Sequence, residues 1–101
     1  MPQRHPVTSL ASLPAGSGKG FTIAGHRIAF FNVDGKIHAI DDTCPHAGAP
    51  LSEGRLHGCV VTCPWHAIDF DVTSGRVPGQ AEDSQTVYPV FVTGDQIEVE
   101  V

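Results

Sequence analysis

One stretch of the chain decides its fold class, residues 26–40, which reads HRIAFFNVDGKIHAI. Its first part, His26 to Val33, is an apolar run of the β type, and Asp34-Gly35 is a strong signal for a tight hairpin turn. Lys36 to Ile40 then returns as a second strand. The stretch therefore predicts a β-hairpin within a chain of antiparallel strands.

Further strands are predicted on the C-terminal side of this hairpin. Cys59 to Cys63 reads as a short β-branched strand, and apolar and acidic side chains alternate over residues 68–72 as in a half-buried strand. Thr86 to Thr93 and Gln96 to Val101 are two more strands, joined at Gly94-Asp95. The order of these runs predicts a β meander.

Helix is expected to be minor, because no segment of eleven or more residues keeps a 3.6-residue period. Leu13 to Gly20 and Pro78 to Gln85 are predicted to be loops. No internal repeat or linker divides the chain, and 101 residues leave room for one core. We therefore expect a single all-β domain over residues 1–101, built from small packed sheets or an incomplete barrel.

Composition and charge exclude several classes of function. Apolar residues make up 41% and charged residues 17% of the chain, which is ordinary for a globular protein. The net charge of −5 disfavours nucleic acid and anionic membranes as partners and suits docking on basic protein surfaces. The N-terminal residues hold no signal-peptide core, and no stretch approaches the roughly 20 apolar residues that span a bilayer. A cytoplasmic protein is expected.

Two short motifs carry the chemistry of the chain. They are Cys44-Pro45-His46 and Cys63-Pro64-Trp65-His66, with sixteen residues between His46 and Cys63. Both lie in predicted loops, so each loop offers one thiolate and one imidazole. Two sulfurs and two nitrogens suffice for one zinc ion, or for a [2Fe–2S] cluster with thiolates on one iron and imidazoles on the other. Zinc fingers usually carry their histidines on a helix, which weakens the zinc interpretation.

The combined pattern resembles the Rieske-type ferredoxins, which are small [2Fe–2S] electron carriers. The resemblance extends from the two motifs to Leu51-Ser52-Glu53-Gly54 and to Phe70-Asp71 before Ser74-Gly75. It implies a Rieske-like fold of small antiparallel sheets, with a cluster-binding subdomain formed by two loops at about residues 43–51 and 62–68. It also implies one [2Fe–2S] cluster per chain. The implied ligands are Cys44, His46, Cys63 and His66.

The resemblance further implies an electron-transfer protein without catalytic residues of its own. A flavin-dependent reductase would be the donor and a terminal oxygenase the acceptor, as in ring-hydroxylating dioxygenase systems, and the protein would be a monomer. One alternative is the small Rieske-like subunit of a larger oxidoreductase such as an NADH-dependent nitrite reductase. Another is a zinc-bound β module for protein interaction. The chain is too short to be the oxygenase, which needs a second domain for mononuclear iron.

The subtype implied by the resemblance is the low-potential one. High-potential Rieske proteins have an extra, disulfide-forming Cys in each cluster loop, where this chain has Ala49 and Trp65. They also place Ser and Tyr hydroxyls near the cluster sulfurs, where this chain has Ile68 and Phe70. Since each donor to a sulfur stabilises the reduced state, a low potential is expected. A further departure is Ala67, where the family usually has Gly.

Several residues near the motifs receive weaker assignments. Asp41, Asp42 and Glu53 flank the first loop near the expected electron exit and predict a docking role. Cys59 is expected to be a small core residue on a strand, facing away from the cluster. An apolar collar around the cluster is expected from Pro45, Pro50, Pro64 and Trp65. Packed or surface histidines, not ligands, are expected at His5, His26, His38 and His57.

Overall fold

The computed structural model describes residues 2–43, 49–64, 68–77 and 85–101. Within these ranges the backbone forms ten strands and two 3₁₀ turns, Leu10–Ser12 and Leu51–Glu53, and no α-helix. None of the described helical segments is long and apolar enough to cross a membrane. The strands are β1 (Arg4–Ser9), β2 (Gly18–Ile23), β3 (His26–Val33), β4 (Lys36–Asp41), β5 (Arg55–His57), β6 (Val60–Thr62), β7 (Asp69–Asp71), β8 (Val87–Tyr88), β9 (Val90–Thr93) and β10 (Gln96–Glu100).

The strands form three small antiparallel sheets, which confirms the predicted fold class. The first sheet has the order β1-β10-β9, the second β2-β3-β4-β8, and the third β5-β6-β7. The third sheet follows the first predicted cluster loop and includes the strands on both sides of the second. The second predicted cluster loop therefore lies between two paired strands of this sheet in the sequence.

Residues 28–31 of strand β3 are all apolar because both faces of the strand are buried there. Ile28 and Phe30 lie in a first core together with Ile97 and Val99 of β10. The residues between them, Ala29 and Phe31, belong to a second core with side chains of the third sheet. Successive side chains of a strand point to opposite faces, so a strand between two cores needs an unbroken apolar run.

The predicted hairpin at Asp34-Gly35 is confirmed. Both turn residues have positive φ, 52° at Asp34 and 92° at Gly35, as a two-residue turn of this hand requires. The buried Asn32 accepts a hydrogen bond from the Gly35 N–H at 2.7 Å through Oδ1, and its Nδ2 donates to the Leu13 carbonyl at 2.8 Å. The turn is thereby tied to the segment before β2.

The predicted loop from Leu13 to Gly20 is wrong in its last part, since β2 begins at Gly18. Glycine was read as a turn signal, whereas here it permits close packing. A Cβ at Gly18 would lie 2.7 Å from the Phe31 ring, and one at Gly20 would lie 2.7 Å from Asp42 Oδ2. Strand β5 was not predicted, and neither was β1, an edge strand that accommodates Pro6 beside a shift of register.

Two other predicted strands have different limits. Thr86 to Thr93 is interrupted at Pro89, and its two halves, β8 and β9, belong to different sheets. Cys59 lies in the turn before β6 beside Gly58, whose φ is 57°, so the strand begins one residue later than predicted. Of the predicted loop from Pro78 to Gln85, only Gln85 lies within the described residues.

Candidate metal centre

The bases of the two predicted cluster loops meet on the second core. An isolated bridge between Thr43 and Pro50 closes the base of the first loop. The Cys63 N–H donates to the Ile68 carbonyl at 2.8 Å and closes the base of the second. Ala49 and Cys63 belong to the same buried cluster of side chains. The fold therefore brings the two loop bases together, as a site made from both motifs requires.

Among the predicted ligands, Cys63 lies within the described residues, directly after β6. It is 1% exposed and shares the second core with Leu51, Val61 and Phe70. Within the described ranges, no set of three or more His, Cys, Asp or Glu side chains lies close enough together to hold a metal ion. The remaining predicted ligands and three further residues singled out from sequence lie outside those ranges: Cys44, His46, His66, Pro45, Trp65 and Ala67.

The chemistry of the described donor fits an iron–sulfur cluster. A thiol with apolar neighbours and almost no solvent contact provides the shielding that, together with hydrogen bonds, sets a cluster's potential. Ile68 is half-buried against this core and Phe70 is fully buried within it. Neither side chain has a hydroxyl, so neither can donate a hydrogen bond to a sulfur.

The predicted docking role of Asp42 is wrong. Its side chain is 1% exposed and accepts a hydrogen bond from Arg27 Nε at 2.9 Å and another from the Ser52 N–H at 2.7 Å. A buried, paired carboxylate presents no charge to a partner, so the residue belongs to the internal support of the first loop. Sequence could not reveal this, because Arg27 and Ser52 are distant along the chain.

Gln85 is a second residue of this region that sequence reasoning missed. Its side chain is buried, and Nε2 donates to the carbonyl of Asp41 at 3.0 Å and to that of Thr43. The Asp41 N–H in turn donates to the Thr86 carbonyl at 2.9 Å. Residues 85 and 86 thus hold the backbone that leads into the first loop. A lone glutamine after a polar segment carries no signal of such a role.

An open groove of about 460 Å³ lies beside Cys63. Its lining comes from the 3₁₀ turn, the third sheet and the start of the second loop, namely Glu53, Gly54, Arg55, His57, Thr62, Cys63 and Pro64. Glu53 and His57 are exposed. Asp41, which lies shortly before the first loop in the sequence, is half-buried. Glu53 and Arg55 therefore place charged side chains of both signs on this groove, and a docking role for Glu53 and Asp41 stays a prediction.

Cys59 and the other described histidines lie apart from this arrangement. Cys59 is half-buried against the second core, and its Sγ donates a long hydrogen bond of 3.8 Å to Asp71 Oδ2. Burial, with the charge of Lys36 second, lowers the pKa of His38 below that of an ordinary histidine. The ring of the exposed His26 lies 6.3 Å from that of Tyr88. These contacts agree with structural roles for the three residues.

Known proteins share both this sequence and this fold. Residues 3–91 match the family described as Rieske [2Fe-2S] domain. The chain is 33% identical over 96 residues to the ferredoxin component of the naphthalene 1,2-dioxygenase system of Pseudomonas aeruginosa, covering 94% of this chain and 92% of that protein. It is 42% identical over 78 residues to the 3-phenylpropionate/cinnamic acid dioxygenase ferredoxin subunit of Escherichia coli, strain K12, covering 73% of this chain and 72% of that protein.

Among solved structures, a chain of the complex of reduced oxygenase and oxidized ferredoxin in carbazole 1,9a-dioxygenase aligns with a TM-score of 0.87 and 28% identity, over 95% of this chain and 91% of that one. The putative NADH-dependent nitrite reductase small subunit from Mycobacterium tuberculosis aligns with a TM-score of 0.91 and 27% identity, over 100% of this chain and 96% of that one. The fold is therefore shared by proteins named for two kinds of redox system.

Proposed function

The chain belongs to the Rieske [2Fe–2S] family, which confirms the resemblance seen in its sequence, and from this premise we propose that it is a one-electron carrier with one cluster per chain. Its donor would be a flavin-dependent reductase and its acceptor a terminal oxygenase. The convergence of the two loop bases on the second core, which includes the buried Cys63, carries this proposal.

The ligand set that we propose is Cys44 and Cys63 on one iron, with His46 and His66 on the other. Thiolates suit the iron that stays ferric, and neutral imidazoles suit the iron that accepts the electron. When bound, the cluster supplies reversible one-electron chemistry. The protein contributes the apolar core that packs around Cys63 and leaves this residue almost without solvent contact.

The names of related proteins and of one solved complex support the proposal of an oxygenase partner. Relatives matched over 94% and 73% of this chain are named as ferredoxin components or subunits of dioxygenase systems. One structural neighbour was solved as a complex of an oxygenase with its ferredoxin. A carrier that docks in this way transfers electrons between proteins and needs no catalytic residue of its own. We accordingly assign the chain to electron transfer.

The ligand set is tested by single substitutions in the full chain, with the visible spectrum, the EPR spectrum and the iron content as measurements. Cys63→Ser, His46→Ala and His66→Ala should each remove or convert the cluster. Cys59→Ser is the matched control, because Cys59 is the one cysteine outside the proposed set and contacts Asp71 instead. Loss of the cluster in Cys59→Ser would contradict the assignment, and a zinc-containing, colourless wild type would contradict the proposed function.

A bound subunit of a nitrite reductase-like enzyme is a second candidate. The observation that favours it is the structural match to a putative small subunit over 100% of this chain. Gel filtration with a purified flavin-dependent reductase separates the two candidates. A free carrier should elute alone at micromolar concentrations, whereas a subunit should co-elute with its large partner in a fixed ratio.

A further inference from the structure

The buried polar side chains of the described residues fall into two groups, according to the backbone segment that they bind. Within the described ranges three polar or charged side chains are buried, those of Asn32, Asp42 and Gln85. Asn32 holds the β3–β4 turn. The other two are directed at the backbone beside the first cluster loop, where each is fully hydrogen-bonded. Because a buried polar group is costly without partners, these two positions need the specific contacts that they make.

Asp42 joins the backbone on the two sides of the first loop. Its Oδ1 accepts the Ser52 N–H at 2.7 Å, and its carbonyl accepts the Leu51 N–H at 2.6 Å. Its Oδ2 accepts Arg27 Nε at 2.9 Å, and its own N–H donates to the Arg27 carbonyl at 3.0 Å. The residue before the loop is therefore fixed to the 3₁₀ turn after the loop and to β3.

Gln85, far along the chain, holds the same backbone segment at the entry of the first loop. The two carbonyls that its side chain binds belong to Asp41 and Thr43, and Thr43 directly precedes the proposed ligand Cys44. Gln85 is itself held, because its N–H donates to the Gly75 carbonyl at 2.5 Å. The contact spans 42 residues between Gln85 and Thr43.

We propose that Asp42 and Gln85 are positioning residues for the cluster, which hold the backbone at the entry of the first loop, directly before the proposed ligand Cys44. This inference rests on the proposed function. Hydrogen bonds and ligand orientation tune the potential of an iron–sulfur cluster. A loop entry released from Gln85 would hold the proposed ligand less rigidly, so the potential should shift and iron should be lost more readily.

The test uses the full chain with its cluster and compares Gln85→Met with Gln96→Met. Gln96 is a matched control, because its Nε2 also donates to two carbonyls, those of Ile97 at 2.9 Å and Thr8 at 3.2 Å, but in the first sheet. Gln85→Met should retain the cluster, show a shifted midpoint potential and altered EPR g values, and lose iron to a chelator several-fold faster. Gln96→Met should match the wild type in all three measurements.

A second variant keeps the test decisive. Gln85→Leu is uncharged and of similar size, removes both donor hydrogens, and should shift the potential in the same direction as Gln85→Met. A potential and chelation rate for the Gln85 variants equal to those of Gln96→Met would overturn the inference while leaving the proposed function intact. Failure of both Gln85 variants to fold would also overturn it, since Gln85 would then support the whole fold. A wild type without a cluster would overturn the proposed function itself.

Discussion

At the scale of single residues, Gly54 shows how tightly the 3₁₀ turn after the first loop packs against β6. It ends the 3₁₀ turn Leu51–Glu53, and a Cβ added there would collide with the Thr62 carbonyl oxygen and lie 3.1 Å from Val61 Cγ2. Because the main obstacle is backbone, β6 would have to move just before Cys63. Gly54→Ala should therefore lower the free energy of unfolding by about 1–3 kcal/mol, measured by urea denaturation.

Gly58→Asn is the control for this substitution. Gly58 has φ 57° and no atom within 4 Å of an added Cβ, and asparagine tolerates the left-handed region better than most residues. Its free energy of unfolding should stay within about 1 kcal/mol of the wild type. A Gly54→Ala variant as stable as Gly58→Asn would mean that β6 yields easily and that the packing below Cys63 is loose.

Ile68 tests the link between side-chain chemistry and potential. With no hydroxyl at Ile68 or Phe70, we expect a midpoint potential near the low end of the Rieske range, about −150 mV. Ile68→Ser should raise this value if its hydroxyl donates to a sulfur, and Ile68→Val, which adds no donor, should not. Protein-film voltammetry at neutral pH measures all three. A wild-type potential well above zero would show that backbone donors dominate.

The sequence predicted those parts of the site whose chemistry is local. Two motifs of Cys and His within three residues of each other are visible without a fold, and Cys63 lies buried directly after β6. The ligand set itself stays a prediction. Asp42 was misassigned, and Gln85 was missed, because their roles depend on partners 10 to 44 residues away. An acidic residue beside a motif looks the same in sequence whether it faces solvent or Arg27.

At the scale of elements, the strands that could be predicted are those whose apolar pattern and turn signals agree. Strands β3 and β4 were identified because an unbroken apolar run and an Asp-Gly turn agree with each other. Strands β1, β2 and β5 were not, since Pro6 and the glycines of β2 are turn signals in isolation and β5 has only three residues. Their pairing with β10, β3 and β6 overrides local propensity, as is usual for strands.

The turn after β7 carries a pH-dependent contribution to stability. Above all, the hydrogen bond from the Thr73 hydroxyl, 2.5 Å from Asp71 Oδ1, lowers the pKa of Asp71, although partial burial opposes this shift. A lowered folded pKa means that the native state binds fewer protons than the unfolded state. The stabilisation is therefore present above the ordinary aspartate pKa and is lost as the pH falls through the folded value.

Thr73→Val removes this donor and should flatten the acid limb of the stability profile. Between about pH 6 and about pH 3 the wild type should lose more free energy of unfolding than Thr73→Val does, as measured by urea denaturation at each pH. Thr93→Val, at an exposed threonine on β9, should follow the wild type. Parallel profiles for all three proteins would show that the Thr73 hydroxyl does not lower the pKa of Asp71 in the folded state.

At the scale of the whole molecule, three sheets enclose two cores, and the bases of the two cluster loops lie at the second of these. The net charge of −5 gives a general attraction to basic partners. Near the loops this charge is carried by the exposed Glu53 and the half-buried Asp41, and Asp42 is withdrawn from it by its pairing with Arg27. Steering by such charges acts mainly on the association rate.

Reduction of the carrier by a flavin-dependent reductase should consequently slow as salt is added, because the Debye length falls from about 10 Å at 0.1 M to about 3 Å at 1 M. In stopped-flow measurements, the double variant Asp41→Asn/Glu53→Gln should reduce the second-order rate several-fold at low salt and weaken its salt dependence. Glu98→Gln/Glu100→Gln makes the same change of charge on β10 in the first sheet and should have the smaller effect. Equal effects of the two pairs would mean that net charge alone steers the encounter. Rates indifferent to salt and to both pairs would instead assign recognition to apolar contacts at the loops, among them the half-buried Pro50.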